Sequence, residues 1–510
     1  MRNLIQDLGA LRSVEWRQQW PATPESLADR RPGLYLFLVA LFTLLGHALS
    51  LVFPLTALTL LVNLPEAISS TRTAADWVSL LVHLGVMVGA GAMTAFLWRF
   101  KMLLPSGRPL KAEEQVPLDE LVDSLRAAMR LFRPDAVRIT ERYQLEAVCV
   151  PRNGFALFNR NVLLLGLPTL QALTTKQAEA AITRVLCWPN TLKGWVLHTI
   201  DCQQQCWQQY HAAYRTQRTV GARIMAALFN LYWPTCRRLS APALCLNELE
   251  RDALLVQHVC VDDVLELLAV DTVVRRYLAE QFWPAMLETA KDDAQPPHAH
   301  ALFANMLREQ LTQDNIDRWL DEAMHESMAE RAVQPTLSVR VANLACRHVE
   351  PVTLVDESAA ETLLQEALDS VIKQIDEIWR LSVRHRWHRE FAKHAEGRAR
   401  LAALRRRAMT RSIQGRDAMT YAKLAKHYLE PAEAVSVYRQ IAKMNPDDPK
   451  ILLGVGRLLL SHRIGDGVAL VQQATRLDAR MATKAQEILD QFRIPGQITA
   501  RATSPASHVA

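Results

Sequence analysis

No two of the eight cysteines in this 510-residue chain stand at CxxC spacing. Cys149, Cys187, Cys202, Cys206, Cys236, Cys245, Cys260 and Cys346 are scattered, so no disulfide framework is indicated and free thiols in a reducing compartment are expected. Charge is missing over one long stretch: Leu34 to Leu64 holds no Asp, Glu, Lys or Arg. A small-residue cleavage site is also missing behind the charged N-terminal segment, which predicts an uncleaved anchor rather than a signal peptide. Charged residues make up 22% of the chain and hydrophobic ones 50%, a balance that excludes wholesale disorder. The net charge of +6 is too mild over this length to imply nucleic acid.

The uncharged stretch exceeds the roughly 20 residues that a membrane span requires. It has length to spare for a tilt, and Pro54 is placed to kink it. A second apolar run covers Trp77 to Trp98, with tryptophan at each end as at a membrane interface. Gly85, Gly89 and Gly91 in that run would allow close packing on the first helix. Arg12, Arg17, Arg30 and Arg31 precede the first run, and Arg99, Lys101, Arg108 and Lys111 follow the second. Only Arg72 lies between. Positive charge collects on the cytoplasmic side, so both flanks are expected there with a short outer turn.

Pro105-Ser-Gly-Arg-Pro109 reads as a turn-rich linker. Residues 115–133 read as an amphipathic helix, with Leu118, Leu121, Leu125, Met129 and Leu131 on or near one side. Between 136 and 166, VRIT, LEAVCV, FALF and VLLLG read as short strands broken by Asn153-Gly154. From Thr174 onward the pattern is helical. A turn at Thr174-Thr175 caps a helix of Ala, Ile, Val and Leu. A small sheet followed by many helices is an α+β arrangement, here mostly helical.

Several motifs together resemble the membrane-bound HtpX-like zinc metallopeptidases, family forty-eight. They are Pro105-Ser-Gly-Arg-Pro-Leu110, Pro151-Arg-Asn-Gly-Phe155, Gly166-Leu-Pro168, Leu170-Gln-Ala-Leu173, Glu248-Leu-Glu-Arg-Asp252 and Phe282-Trp-Pro284. The resemblance implies a zincin-like domain. In that family the helix after the Gly-Leu-Pro segment bears HExxH; the matching positions here are Arg184, Val185, Leu186, Cys187 and Trp188. Arg184 and Trp188 replace the two histidines that would grip zinc, and Val185 replaces the glutamate that would polarise water. By the same resemblance Glu248 stands at the third ligand's place and Asp252 at that of a supporting acid. A histidine-bearing motif before an arginine matches Gln334-Pro-Thr336 with Arg340, and Glu146-Ala147 stands where the family has Asn-Ala. One carboxylate without imidazoles is not expected to hold zinc. The expectation is a catalytically dead relative in which Arg184 replaces the ion, pairing with Glu248 or Asp252, while Trp188 fills the vacated space. In the competing picture Arg184 points to solvent and Glu248 is a surface acid.

Other residues could carry chemistry. His198, Cys202 and Cys206 recur every four residues on one helix face and form an alternative zinc or copper set, with Asp201 and His211 nearby. The plainer reading is a helix with two core-facing cysteines. Cys187 would need a histidine base to act as a nucleophile, and none is apparent nearby.

Past Val355 the chain changes character. Arg384 to Arg411 is densely basic, with Trp379 and Trp387 interleaved. Anionic lipid is a plausible ligand, nucleic acid has no supporting motif, and a solvated helix is the plain alternative. Residues 418–490 resemble tetratricopeptide-type helix pairs, with Asn445-Pro-Asp-Asp-Pro449 as a turn.

The expected organisation is a cytoplasmic segment (1–33), a transmembrane hairpin (34–104), a degenerate metallopeptidase-like domain (105–355), a basic helical linker (356–412), helical repeats (413–492) and a disordered tail (493–510). The resemblance implies an integral protein of the bacterial inner membrane with its bulk in the cytoplasm. Its partners would be the lipid bilayer, and proteins or peptides held by the repeats or the old cleft, with a role near membrane-protein quality control. No cofactor is expected. Two alternatives stay open: an active zinc metalloendopeptidase with atypical ligands, and a tethered lipid or nucleic-acid binder working through the basic helix.

Overall fold

The computed structural model of the protein describes residues 31–129, 131–155, 158–327, 334–346, 352 and 357–492. Almost all of the expected N-terminal segment and the whole of the expected tail, 493–510, lie outside the described residues.

Helix α1 (Pro32–Val62) opens on a proline, which suits a first helical position, and runs on through Pro54. A short α2 (Leu64–Ser69) and a turn lead to α3 (Ala74–Arg99), which starts from a reciprocal cap between Thr73 and Asp76. Both α1 and α3 are long and apolar enough to cross a membrane. His83 Nε2 lies 2.8 Å from the Leu60 carbonyl oxygen and ties them together. The expected glycine packing is not found: a Cβ at Gly85, Gly89 or Gly91 would meet nothing within 4 Å. The close approach is at Gly46 in α1, where a Cβ would come within 2.8 Å of both Trp207 and Tyr232. The buried residues of α1, Tyr35 to Ser50, all precede Pro54.

The body begins with a mixed four-stranded sheet of order β1-β2-β4-β3. Its strands are β1 (Arg108–Pro109), β2 (Ala136–Thr140), β3 (Leu145–Pro151) and β4 (Asn159–Gly166). β2 runs parallel to β4, and β1 and β3 run antiparallel to their neighbours. Between β1 and β2, helix α4 (Ala112–Ala128) starts and stops earlier than its pattern suggests, because Met129 is extended and Leu131 then bridges Cys187. The FALF segment is not a strand where it is described. Asn153 Oδ1 accepts the Phe155 N–H at 2.9 Å, so Phe155 belongs to the turn joining β3 and β4. The strand ends at Gly166, where only glycine fits: a Cβ there would sit 2.0 Å from the Arg142 carbonyl oxygen.

Helices follow in series: α5 (Leu167–Ala172), α6 (Thr175–Leu186), α7 (Leu192–Thr216), α8 (Val220–Leu255), α9 (Val261–Tyr277), α10 (Trp283–Glu288), α11 (Ala299–Gln310), α12 (Gln313–His325), α13 (Leu337–Asn343), α14 (Ala359–Leu364) and α15 (Leu368–Thr410). The outer edge of β3 is covered by α7. Gln205 accepts from the Cys149 N–H at 2.7 Å, and Gln209 donates to the Cys149 carbonyl at 3.0 Å. Glutamines on a helix thereby satisfy an edge that would otherwise recruit another strand. The long pair α7 and α8 also packs on α1. Tyr35 donates to the Leu239 carbonyl at 2.8 Å, while Trp207 and Tyr232 donate to that of Thr43 at 3.1 and 3.0 Å.

The chain forms two compact units. One comprises the described residues of Met1–Met286 with Pro297–Ser382, the other those of Leu287–Pro296 with Val383–Ala510. The boundary falls inside α15 rather than at either end of the expected linker. In the second unit, the later part of α15 is followed by α16 (Gly415–Tyr428), α17 (Pro431–Met444), α18 (Pro449–Ser461), α19 (Asp466–Leu477) and α20 (Ala482–Gln491). Leu401, Tyr421, Tyr438, Ile451, Leu459 and Val471 share its apolar core. The turn at 445–449 is fixed by side chains: Asn445 donates to the Ile413 and Ile441 carbonyls, and Asp448 accepts from the backbone of Lys450 and Ile451.

Candidate functional site

Helix α6 starts where Thr174 accepts the Gln177 N–H and Gln177 reaches back to Thr174. Its Ala178, Ile182, Val185 and Leu186 face the core. Arg184, on its last turn, crosses to α8. There Nε donates to Asp252 Oδ1 at 2.6 Å and a terminal nitrogen donates to Glu248 Oε2 at 2.5 Å. Glu248 and Asp252 are one helical turn apart and share a face of α8.

Arg340, from α13, grips Asp252 from the other side with bonds of 2.7 and 2.8 Å. Arg251 spans Glu248 at 3.0 Å and Asp201 of α7 at 2.7 Å, and Asn247 donates to Asp201 as well. The result is an alternating ladder, Arg340–Asp252–Arg184–Glu248–Arg251–Asp201, in which three cations balance three anions. It joins four helices. The Asp252 side chain is wholly buried, and that of Arg184 is 14% exposed. Arg184 is therefore not solvent-directed, nor is Glu248 a free surface acid.

Burial by itself would raise the Glu248 pKa, but the positive charges of Arg184 and then Arg251 outweigh it and hold the carboxyl at about 2. Asp252 follows the same logic: burial opposes its charge, and Arg184 and Arg340 lower its pKa below the ordinary value. Burial also opposes the charge on Arg184, yet Asp252 and Glu248 raise its pKa further above that of a free arginine. Glu146, on β3, goes the other way. Partial burial and the negative charges of Asp201 and Glu248 raise its pKa.

These residues do not fit zinc. Both oxygens of Glu248 accept from arginines, as do both of Asp252, so the carboxylates that would face a metal are already occupied by fixed cations. Val185 is buried in the core and offers no base. Trp188 departs from expectation. It lies beyond the end of α6, is 44% exposed, and touches the rings of Phe132 and His198 rather than filling a cavity. The helix stops because Cys187 turns extended to bridge Leu131, and because Trp188 precedes Pro189, which disfavours helical backbone there.

The His198–Cys202–Cys206 set is not assembled. Cys202 is bonded to Cys149 of β3, which corrects the expectation of free thiols; the packing of α7 along β3 brings their Cα atoms to 5.3 Å. Cys206 is buried and turns toward the Cys149 carbonyl and Asn159. His198 lies 3.8 Å from the Cys202 sulfur, and burial and then Arg251 lower its pKa. Cys187 is buried, which raises its thiol pKa and disfavours a nucleophilic thiolate.

The tryptophans near the basic stretch are core residues. Trp379 stacks on Trp283 at 5.7 Å, and Trp387 donates to the Asp293 carbonyl at 3.0 Å. Neither is presented as a stacking platform for a ligand. Arg384, Arg386, Arg389, Arg400, Arg405 and Arg406 remain exposed.

Sequence reasoning missed parts of the site. Arg251 and Asp201 complete the ladder; the signal for Arg251 was its position three residues after Glu248. A second buried polar centre was not anticipated. His300 Nδ1 and Nε2 lie 2.9 Å from Asp376 and from the Glu141 carbonyl oxygen, while Asp376 accepts the His300 and Ala301 N–H groups in the first turn of α11. No family model matches the chain, and no curated protein or solved structure matches it either.

Proposed function

We propose that the protein is a membrane-anchored, catalytically inactive relative of the HtpX-like zinc metallopeptidases that binds other proteins at the membrane. The observation that carries the proposal is the paired grip of Arg184 on Glu248 and Asp252. On the motif resemblance, those two acids occupy the places of a metal ligand and its supporting acid. A guanidinium there supplies positive charge and directional donors without Lewis acidity or a water to activate. The old centre becomes a structural joint, and selection on the cleft would favour binding over turnover.

Two apolar helices, α1 and α3, support the anchor. The cation asymmetry of their flanks supports a cytoplasmic body, and by the resemblance the membrane is a bacterial inner one. The helical second unit, with its side-chain-locked turns, suits peptide or protein binding of the tetratricopeptide kind. Membrane-protein quality control is the role that the resemblance suggests.

The deciding experiment is the zinc content of the full-length, detergent-purified protein after mild dialysis, read by elemental mass spectrometry beside a peptidase assay. Metal well below one equivalent with no proteolysis supports the proposal. One tightly held zinc per chain, with chelator-sensitive cleavage, overturns it in favour of an active metalloendopeptidase.

A further inference from the structure

The turn between α7 and α8 wraps the end of α3. The Tyr214 ring lies 4.7 Å from that of Phe100 and 6.4 Å from that of Phe96. A Cβ at Gly221 would come within 2.8 Å of Phe96. Contacts this close fix the turn at the level of Arg99 and Lys101. If α3 spans the bilayer, that level is the cytoplasmic membrane surface.

The residues of the turn suit such a place. Arg215, Arg218 and Arg223 are exposed and have no ion-pair partner among the described residues. With Arg99 and Lys101 they bring five cations around one helix end. Val220, at the tip, is 67% exposed, and Trp98 beside Arg99 is 66% exposed. An apolar side chain flanked by arginines gains little in water. At a bilayer surface the apolar group enters the acyl boundary while the cations meet phosphates.

We propose that the α7–α8 turn is a lipid-docking element that binds the anionic headgroups of the cytoplasmic leaflet through Arg215, Arg218 and Arg223 and inserts Val220. The proposal rests on the reading of α3 as a membrane span. It would hold the first unit against the membrane at a second point, through a segment more than 110 residues beyond the second span.

The test uses the full-length chain with Cys260 replaced by serine, reconstituted in vesicles of phosphatidylglycerol and phosphatidylcholine. A fluorophore is attached at Val220→Cys in one sample and at Val86→Cys, midway along α3, in another. Each is quenched by a nitroxide carried on shallow lipid and by aqueous iodide. The expected result is lipid quenching at both positions. At Val220 it falls several-fold when Arg215, Arg218 and Arg223 are all changed to Gln, or when the vesicles are purely zwitterionic. Lipid quenching at Val86 with iodide quenching at Val220 overturns the docking element and leaves the span intact. Iodide quenching at both positions overturns the span as well. Quenching at Val220 that ignores both the arginines and the lipid charge overturns headgroup recognition.

Discussion

Arg184 Nε lies 2.6 Å from Asp252 Oδ1, and the opposite face of the same carboxylate is held by Arg340 at 2.7 Å. A fully buried aspartate is thus shared between two arginines from helices on either side of α8. Ion pairs in the interior are costly to desolvate, so such a ladder adds little net stability over a well-packed apolar core. Its effect is geometric. Bidentate and fork-like contacts accept only one relative placement of α6, α7, α8 and α13.

Removing one rung exposes that cost. Arg184→Met should destabilise the first unit by about 3 kcal/mol, because Glu248 and Asp252 each lose a partner while staying buried. Adding Glu248→Leu should recover part of that loss. Denaturant unfolding of the detergent-solubilised single and double variants measures the coupling. Unchanged stability in Arg184→Met would show that the ladder does not hold these helices.

Acid should act through the same residues. Glu248 is held at about 2 against an ordinary value of 4.5. A carboxyl with a depressed pKa contributes its full stabilisation above the ordinary value and loses it as pH falls toward the depressed one. The contribution is up to about 3 kcal/mol from the size of the shift. Stability should therefore fall between about pH 4.5 and 2, with a shallower slope in Glu248→Gln. An equal slope in both proteins would assign acid sensitivity to other groups.

Cys149 and Cys202 should be recovered as one linked peptide when the purified protein is alkylated and digested without reductant. The remaining thiols should alkylate separately under denaturing conditions. Recovery of both cysteines as alkylated monomers counts against the bond. Disulfides are rare in the cytosol, so finding the pair already oxidised in rapidly alkylated cells would count against a cytoplasmic body.

Gly46→Leu should loosen α1 from α7 and α8, since a Cβ there already meets Trp207 and Tyr232 at 2.8 Å. Overpacking of this kind costs about 1–3 kcal/mol. Limited proteolysis should cut the α7–α8 pair faster in this variant, whereas Gly89→Leu, which has open space around it, should leave the pattern unchanged.

Much of the architecture was legible because it depends on local pattern. The two apolar helices follow from uncharged runs, the cap at Thr174 from a side chain placed to accept a backbone N–H group, the turn at 445–449 from its prolines and Asn445, and the strands of 136–166 from β-branched and apolar alternation. The end of α6 has a local cause in Pro189, although the family resemblance places Trp188 on the helix. FALF misled for a comparable reason: Phe155 belongs to a turn, where Asn153 sets the backbone.

Local pattern is enough to place most of the helices, to mark the segments that suit a membrane, and to show that histidine and glutamate are missing from positions 184, 185 and 188. Those are properties of single residues and their near neighbours. It takes the folded chain to bring Arg184 to Asp252 across 68 positions, to close Arg340 on the same carboxylate, and to join Cys149 and Cys202 across 53. Folding likewise makes Trp387 an anchor rather than a docking platform. One cause is common to all four. A guanidinium, a thiol or an indole can pair in many ways, and which partner it finds is set by how helices from distant parts of the chain pack, which no local spacing encodes.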